Sequence, residues 1–208
     1  LSIIFLFILA EFLLALTPPV ARDALIHHLA IPKLWLIHGG FYETPWAGFS
    51  YYPMNLSLLY LVPLYFGNDI IPNFIHLSFG IGTAALLYSY LNKRCGQFAG
   101  LLGSLMFISL PTILRTATTA YVDVGLVFFT TLSVLAYVYW RDTEYQSKGW
   151  LLVSAIAMGL ALGTKYSALP VWFFLTLAVV FIYARQTGRQ WPALARTSRR
   201  PSAVGAIT

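Results

Sequence analysis

The sequence predicts an all-α, polytopic membrane protein, a helical bundle of about six transmembrane helices with additional outer juxtamembrane helices. Its composition is 59% hydrophobic and only 10% charged, with a mean hydropathy of +0.73, which is far from the balance of a soluble domain. Apolar runs close to the ~20 residues that cross ~30 Å of hydrocarbon recur along the chain. The single cysteine, Cys95, excludes an internal disulfide framework.

The predicted membrane helices are Leu1 to Leu16, Ile70 to Leu91, Gly96 to Leu110 with a continuation toward Leu114, Tyr121 to Trp140, Gly149 to Gly163, and Ala168 to Ala184. Residues 1–184 therefore form a predicted transmembrane domain that includes an outer juxtamembrane loop, residues 17–69. Residues 185–208 are basic and contain Pro and Ser, which predicts a disordered cytoplasmic tail. Because the chain begins with Leu1 rather than methionine, we expect it to be a fragment.

The basic residues predict the orientation of the bundle. Lysine and arginine outnumber the acids by 13 to 7, and most of them fall in alternate connections between the helices. In a multi-spanning protein such an excess marks cytoplasmic loops rather than a nucleic-acid partner. The other connections, which are predicted to face outward, hold Arg22, Lys33, Arg115 and Lys165 together with Asp23, Glu43, Asp69 and Asp123.

The segment from Phe49 to Phe66 leaves the topology open at this stage. If it crosses the bilayer, Asp23 and Asp123 lie on opposite sides of the membrane. Its uninterrupted part is short and contains Pro63, which favours an interfacial or re-entrant segment. Charge alone does not decide between the two interpretations.

Each outward ionisable residue has a structural interpretation beside a functional one. Asp23 and His27 lie four residues apart on a predicted surface helix, where the acid can serve as a cap and the histidines can fill the polar face. Asp123 can cap the helix that it begins, and Lys165 can extend to the interface from a helix end. His76 is expected to form a hydrogen bond between helices.

Taken together, acids and cations on one face of a membrane bundle suit glycosyl transfer from a lipid phosphate. A carboxylate can accept the proton of the acceptor hydroxyl, and cations can stabilise the departing phosphate. Two other classes fit parts of the pattern. A transporter or flippase should place ionisable groups inside helices, as Glu11 and His76 are placed. A noncatalytic scaffold subunit could use the small residues Gly80, Gly82, Ala84 and Ala85 to pack against partner helices.

The order of four segments carries a family resemblance: "ARDALIHHLAIPKLW", "YLNKRCGQFAGLLGSLMFISLP", "TTAYVDVGLVFFTTLSVLAYVY" and "WLLVSAIAMGLALGTKYSALP". In this order the chain resembles the N-terminal half of the GT-C membrane glycosyltransferases. These are the protein O-mannosyltransferase and lipid A aminoarabinose transferase-like enzymes, glycosyltransferase family 39-like, which use polyprenyl-phosphate sugars. The resemblance covers about residues 1–184.

The resemblance implies roles for particular residues. Asp23 matches the general base of the first outer loop, and Asp123 matches the second acid of the acceptor site. By position, Lys165 and either Arg115 or Arg22 would contact the donor phosphate. His27, which the helical spacing places on the same face as Asp23, is a further candidate substrate-binding residue. Members often carry an acidic pair where this chain has Asp23 followed by Ala24, so no metal and no cofactor is assigned.

The implied activity is an inverting transfer at the outer membrane face. The implied partners are a polyprenyl-phosphate sugar donor, membrane lipids, and a glycan, lipid or protein acceptor that the sequence does not specify. The short basic loops favour the bacterial inner membrane.

Overall fold

The structure, a computed structural model, describes residues 2–197, and every regular element among them is helical. In chain order the α-helices are α1 (Ser2–Ala15), α2 (Ala30–His38), α3 (Asn55–Leu59), α4 (Leu61–Tyr65), α5 (Ile71–Cys95), α6 (Gln97–Ile108), α7 (Pro111–Ala117), α8 (Asp123–Asp142), α9 (Lys148–Thr164) and α10 (Leu169–Thr197). A π-helical turn, Ala24–Leu29, leads directly into α2. The predicted all-α class is confirmed.

Three helices are long and apolar enough to cross a membrane: Ile71–Cys95, Asp123–Asp142 and Tyr166–Arg185. A fourth span is present if α6 and α7, which are bent by 67°, are counted as one. This count is lower than the predicted number of about six. The apolar helices α1 and α9 have 14 and 17 residues, so they are only about 21 Å and about 26 Å long. The bend lies at Leu110, whose extended backbone is the conformation favoured before a proline such as Pro111.

The segment from Phe49 to Phe66 does not contain a helix of spanning length. It forms a 3₁₀ turn followed by α3 and α4, which have five residues each. The Asn55 side chain donates a hydrogen bond to the Leu160 carbonyl of α9 at 3.3 Å. Leu56 is buried against Gly125 of α8. These contacts favour the re-entrant interpretation over a membrane crossing.

Helices α5 and α8 run parallel and form the centre of the first compact unit, which ends at Leu169. Gly82 of α5 lies against the ring of Phe128 near the start of α8, and Tyr90 pairs with Tyr139 further along at a ring distance of 6.2 Å. Gly80 also packs inside the unit, against Val124. Small residues that could have faced a partner protein are therefore used within this chain.

The neighbouring helices are antiparallel to these two and are joined to them by serine hydrogen bonds. Ser104 of α6 donates to the Ala84 carbonyl of α5 at 2.9 Å. Ser133 of α8 and Ser154 of α9 each donate to the carbonyl of the other, at 2.8 and 2.9 Å. Such bonds satisfy buried hydroxyls where no water is present.

The bundle has two chemically different ends. We call one the Arg94 end; it joins the C-termini of α5 and α8 to the N-terminus of α9. There Arg94 forms an ion pair with Asp142, and the Lys93 ammonium lies 5.0 Å from the Tyr139 ring centre. We call the other the Asp123 end; it holds the N-termini of α5 and α8, the C-terminus of α9, and α2 to α4.

The second compact unit begins at Pro170 and contains most of α10. This helix extends to Thr197, beyond Ala184, where the sequence predicts the apolar helix to end. The rest of the predicted tail, residues 198–208, lies outside the described residues.

His76 joins three helices at the Asp123 end. Its Nδ1 lies 2.9 Å from the Thr116 carbonyl and 2.8 Å from the Thr119 carbonyl, and its Nε2 accepts the Val124 backbone N–H at 3.0 Å. Carbonyls only accept hydrogen bonds, so Nδ1 carries the proton and the ring is neutral. The predicted interhelical role of His76 is thus observed, and His76 caps the first turn of α8.

We expect His76→Phe to lower the stability of the protein by about 2 kcal/mol, because it leaves the buried Val124 N–H unpaired and removes the bond from Nδ1 to the α7–α8 turn. Thermal unfolding in detergent measures this effect. His38→Phe is the matched control, since His38 is exposed at the end of α2. Equal unfolding temperatures for the two variants would contradict the capping role.

Candidate functional site

Asp123 and Lys165 form an ion pair at the Asp123 end. Asp123 is the first residue of α8, where the helix dipole favours a carboxylate. Lys165 follows the last residue of α9 in an extended backbone conformation. Lys165 Nζ lies 2.6 Å from Asp123 Oδ1, and the two side chains are 48% and 45% exposed. The pair is therefore open to a ligand.

Asp23 and Arg22 lie just before the π-helical turn, and both side chains are exposed. Asp23 occupies the N-cap position, but its side chain makes no capping hydrogen bond. The capping interpretation of Asp23 thus predicts a contact that the structure does not contain. Its carboxylate remains available for another role.

His27 packs on an aromatic ring. Its imidazole centre lies 3.9 Å from the centre of the Phe49 ring, and its Nδ1 is buried without a hydrogen-bond partner among the described residues. Phe49 belongs to the 3₁₀ turn that precedes α3, so this contact joins the first surface helix to the re-entrant segment.

His28 contacts the α3 segment and the turn that precedes α8. Its Nδ1 is 3.2 Å from Ser57 Oγ, and its ring centre is 6.1 Å from that of Tyr121. Burial lowers the pKa of His28 to about 4, while the charges of Asp123 and Asp23 oppose that shift and those of His27 and Lys165 add to it. Ala24, next to Asp23, and Val122, next to Asp123, pack in one buried cluster, so the turn that carries Asp23 and His27 lies at the same end of the bundle as the Asp123–Lys165 pair.

A buried tyrosine, Tyr60, contacts the turn that precedes Asp123. The Tyr60 hydroxyl donates to the Tyr121 carbonyl at 2.5 Å, two residues before Asp123. Burial, with a smaller contribution from the Asp123 charge, raises the pKa of Tyr60, so this side chain remains neutral. Tyr60 therefore fixes the turn before α8 through this hydrogen bond.

Two predicted phosphate ligands are not brought into this cluster by any observed contact. Arg115 is exposed on α7, and among the described residues its side chain forms no ion pair. Arg22 is likewise exposed and without an ion pair in residues 2–185. Within the part of the chain that the structure describes, no three His, Cys, Asp or Glu side chains are grouped to hold a metal ion.

Sequence reasoning missed His28, Ser57 and Tyr60 as parts of the site. In the sequence His28 has the pattern of a polar-face residue on a surface helix, and Ser57 and Tyr60 lie within an apolar run. No spacing in the sequence indicates that a residue of α3 meets the π-helical turn, because that contact joins residues 29 positions apart.

Comparison with known proteins identifies the family. A family model described as dolichyl-phosphate-mannose-protein mannosyltransferase matches residues 47–197. The match includes Arg115, Asp123 and Lys165, whereas Arg22, Asp23 and His27 precede it. No curated protein and no solved structure gives a significant match. Because the matched residues make up most of the chain, this protein belongs to the dolichyl-phosphate-mannose-protein mannosyltransferase family of membrane glycosyltransferases.

Proposed function

We propose that this chain transfers a sugar from a polyprenyl-phosphate donor to a hydroxyl of a glycan, lipid or protein acceptor, with inversion at the anomeric carbon. The observation that carries the proposal is the half-exposed Asp123–Lys165 pair, 2.6 Å long, at the end of the bundle where the turn that follows Asp23 packs against the start of α8. Asp23, Asp123 and Lys165 together supply a base, a second acid and a cation at one end of an apolar bundle. The family match supplies the class of donor.

In this proposal Asp23 is the general base. Its exposed carboxylate takes the proton of the acceptor hydroxyl while the hydroxyl oxygen bonds to C1 of the sugar. The bond from C1 to the phosphate oxygen breaks, and the lipid phosphate leaves with the electron pair. Attack from the face opposite the phosphate inverts the configuration at C1.

Lys165 and Asp123 have complementary roles in this scheme. The Lys165 ammonium stabilises the negative charge that grows on the leaving phosphate. Asp123 holds the ammonium in place through their ion pair and offers its second oxygen to the acceptor. Arg115 and Arg22 are proposed as more distant contacts for the phosphate or its lipid surroundings, and His27 as support for the base.

The distribution of basic residues predicts which end of the bundle faces the cytoplasm. The Arg94 end carries Lys93, Arg94, Arg141 and Lys148, so the positive-inside tendency assigns it to the cytoplasm and the Asp123 end to the outer face. The short basic connections favour a bacterial inner membrane. In this orientation both the lipid donor and the acceptor reach the site from the membrane interface.

We expect Asp23→Asn to lower the transfer rate by ~2–4 orders of magnitude, because the amide cannot accept the hydroxyl proton. The measurement is transfer of labelled sugar from polyprenyl-phosphate sugars by the full chain in membranes. Asp69→Asn is the matched control, since Asp69 is an exposed acid of the same juxtamembrane region. Near-normal transfer by the Asp23 variant would remove the base assignment.

Lys165→Gln is expected to reduce transfer by roughly 100-fold through loss of the charge that stabilises the leaving phosphate. Stability should change by less than about 1 kcal/mol, because the pair with Asp123 is half-exposed. Lys148→Gln, at the Arg94 end, controls for loss of a lysine. If Lys165→Gln instead unfolds the protein and the surviving fraction is fully active, the pair is structural.

The orientation is tested with a membrane-impermeant thiol reagent in intact cells. Cys95 is exposed at the Arg94 end and should stay protected. In a Cys95→Ser background, Asp23→Cys and Asp123→Cys should both be labelled from outside. Labelling of the two positions from opposite sides would rule out a shared site.

A further inference from the structure

His28 has one nitrogen held by the protein and one that forms no hydrogen bond within the described residues. Its Nδ1 lies 3.2 Å from Ser57 Oγ, and Ser57 is fully buried in α3. Nε2 forms no hydrogen bond within the described residues, and it is not among the fully buried side-chain atoms that lack a partner, so part of its surface is open. This nitrogen is therefore accessible to a ligand.

The buried serine determines which nitrogen carries the proton. The Ser57 hydroxyl has a single hydrogen, and His28 Nδ1 is its one partner in the described part of the chain. A buried hydroxyl donates its hydrogen wherever an acceptor is present. We therefore assign the tautomer in which Ser57 donates to Nδ1, since it satisfies the buried hydroxyl, and in which the ring proton of the neutral imidazole lies on Nε2. In this tautomer Nε2 is a hydrogen-bond donor.

The surroundings of Nε2 favour an anionic acceptor. Within the described residues neither Asp23 nor Asp123 forms a hydrogen bond with the imidazole, which lies against Tyr121, two residues before the carboxylate that holds the Lys165 ammonium. A neutral N–H can donate a directional hydrogen bond to a phosphate oxygen. A protonated imidazole would also pair with Asp23 and make that carboxylate a weaker base, and the neutral ring avoids this effect.

We propose that His28 contacts the substrate, with Nε2–H donating a hydrogen bond to a phosphate oxygen of the polyprenyl-phosphate donor and Ser57 holding the required tautomer. This role rests on the proposed function and adds to it a second phosphate ligand from the first surface helix. The contact reaches the phosphate from the side of the π-helical turn, whereas Lys165 reaches it from the end of α9.

The test is equilibrium binding of farnesyl phosphate and of farnesol, its uncharged match, to the full chain in detergent micelles. His28→Leu should weaken farnesyl phosphate binding roughly tenfold and leave farnesol binding unchanged, because only the phosphate accepts a strong charge-assisted bond. His28→Gln, which keeps an N–H donor, should retain most of the affinity. Ser57→Ala no longer fixes the tautomer, so its affinity for farnesyl phosphate should lie between those of His28→Leu and His28→Gln.

His38→Leu is the control and should bind both lipids as the wild type does. Two results overturn the contact: an unchanged phosphate preference in His28→Leu, or an equal loss of both lipids, which would indicate structural damage. If the wild type itself does not distinguish farnesyl phosphate from farnesol, the proposed function fails and this contact fails with it. The wild-type preference therefore separates the two failures.

Discussion

The position of Asp123 depends on the hydrogen bonds of one buried imidazole. His76 lies inside α5, yet its two nitrogens satisfy carbonyls at the end of α7 and the backbone N–H of Val124, next to Asp123. The Val124 N–H would be costly to leave unpaired away from water. The turn between α7 and α8 is therefore locked to α5, and the carboxylate that begins α8 is directed to the site.

The juxtamembrane helices complete the site because they pack directly on the ends of the membrane helices. Tyr60 holds the Tyr121 carbonyl, Asn55 holds a carbonyl of α9, and Leu56 fills the space over Gly125. At Gly125 a Cβ would lie 2.1 Å from the Leu56 side chain. The re-entrant segment is thus a packed layer, and it brings Ser57 to His28.

The two ends of the bundle use their charges differently. At the Arg94 end, Arg94 and Arg141 pair with Asp142, and Lys93 lies over an aromatic ring. At the Asp123 end the Asp123–Lys165 pair is half-exposed, and Asp23 makes no capping bond. An exposed pair contributes little to folding, so its charges remain available for chemistry.

The sequence by itself determined the helical membrane class, the position of each apolar helix, and the acids and cations that gather outside them, because hydropathy and charge are local properties of the chain. It also placed Asp123 and Lys165 at helix ends, but not in contact. The tertiary structure decided that contact, the shortness of α3 and α4, the 67° bend between α6 and α7, and the inclusion of His28 and Ser57. Those features depend on which helix ends meet in space, and that is set by packing between residues far apart in the chain.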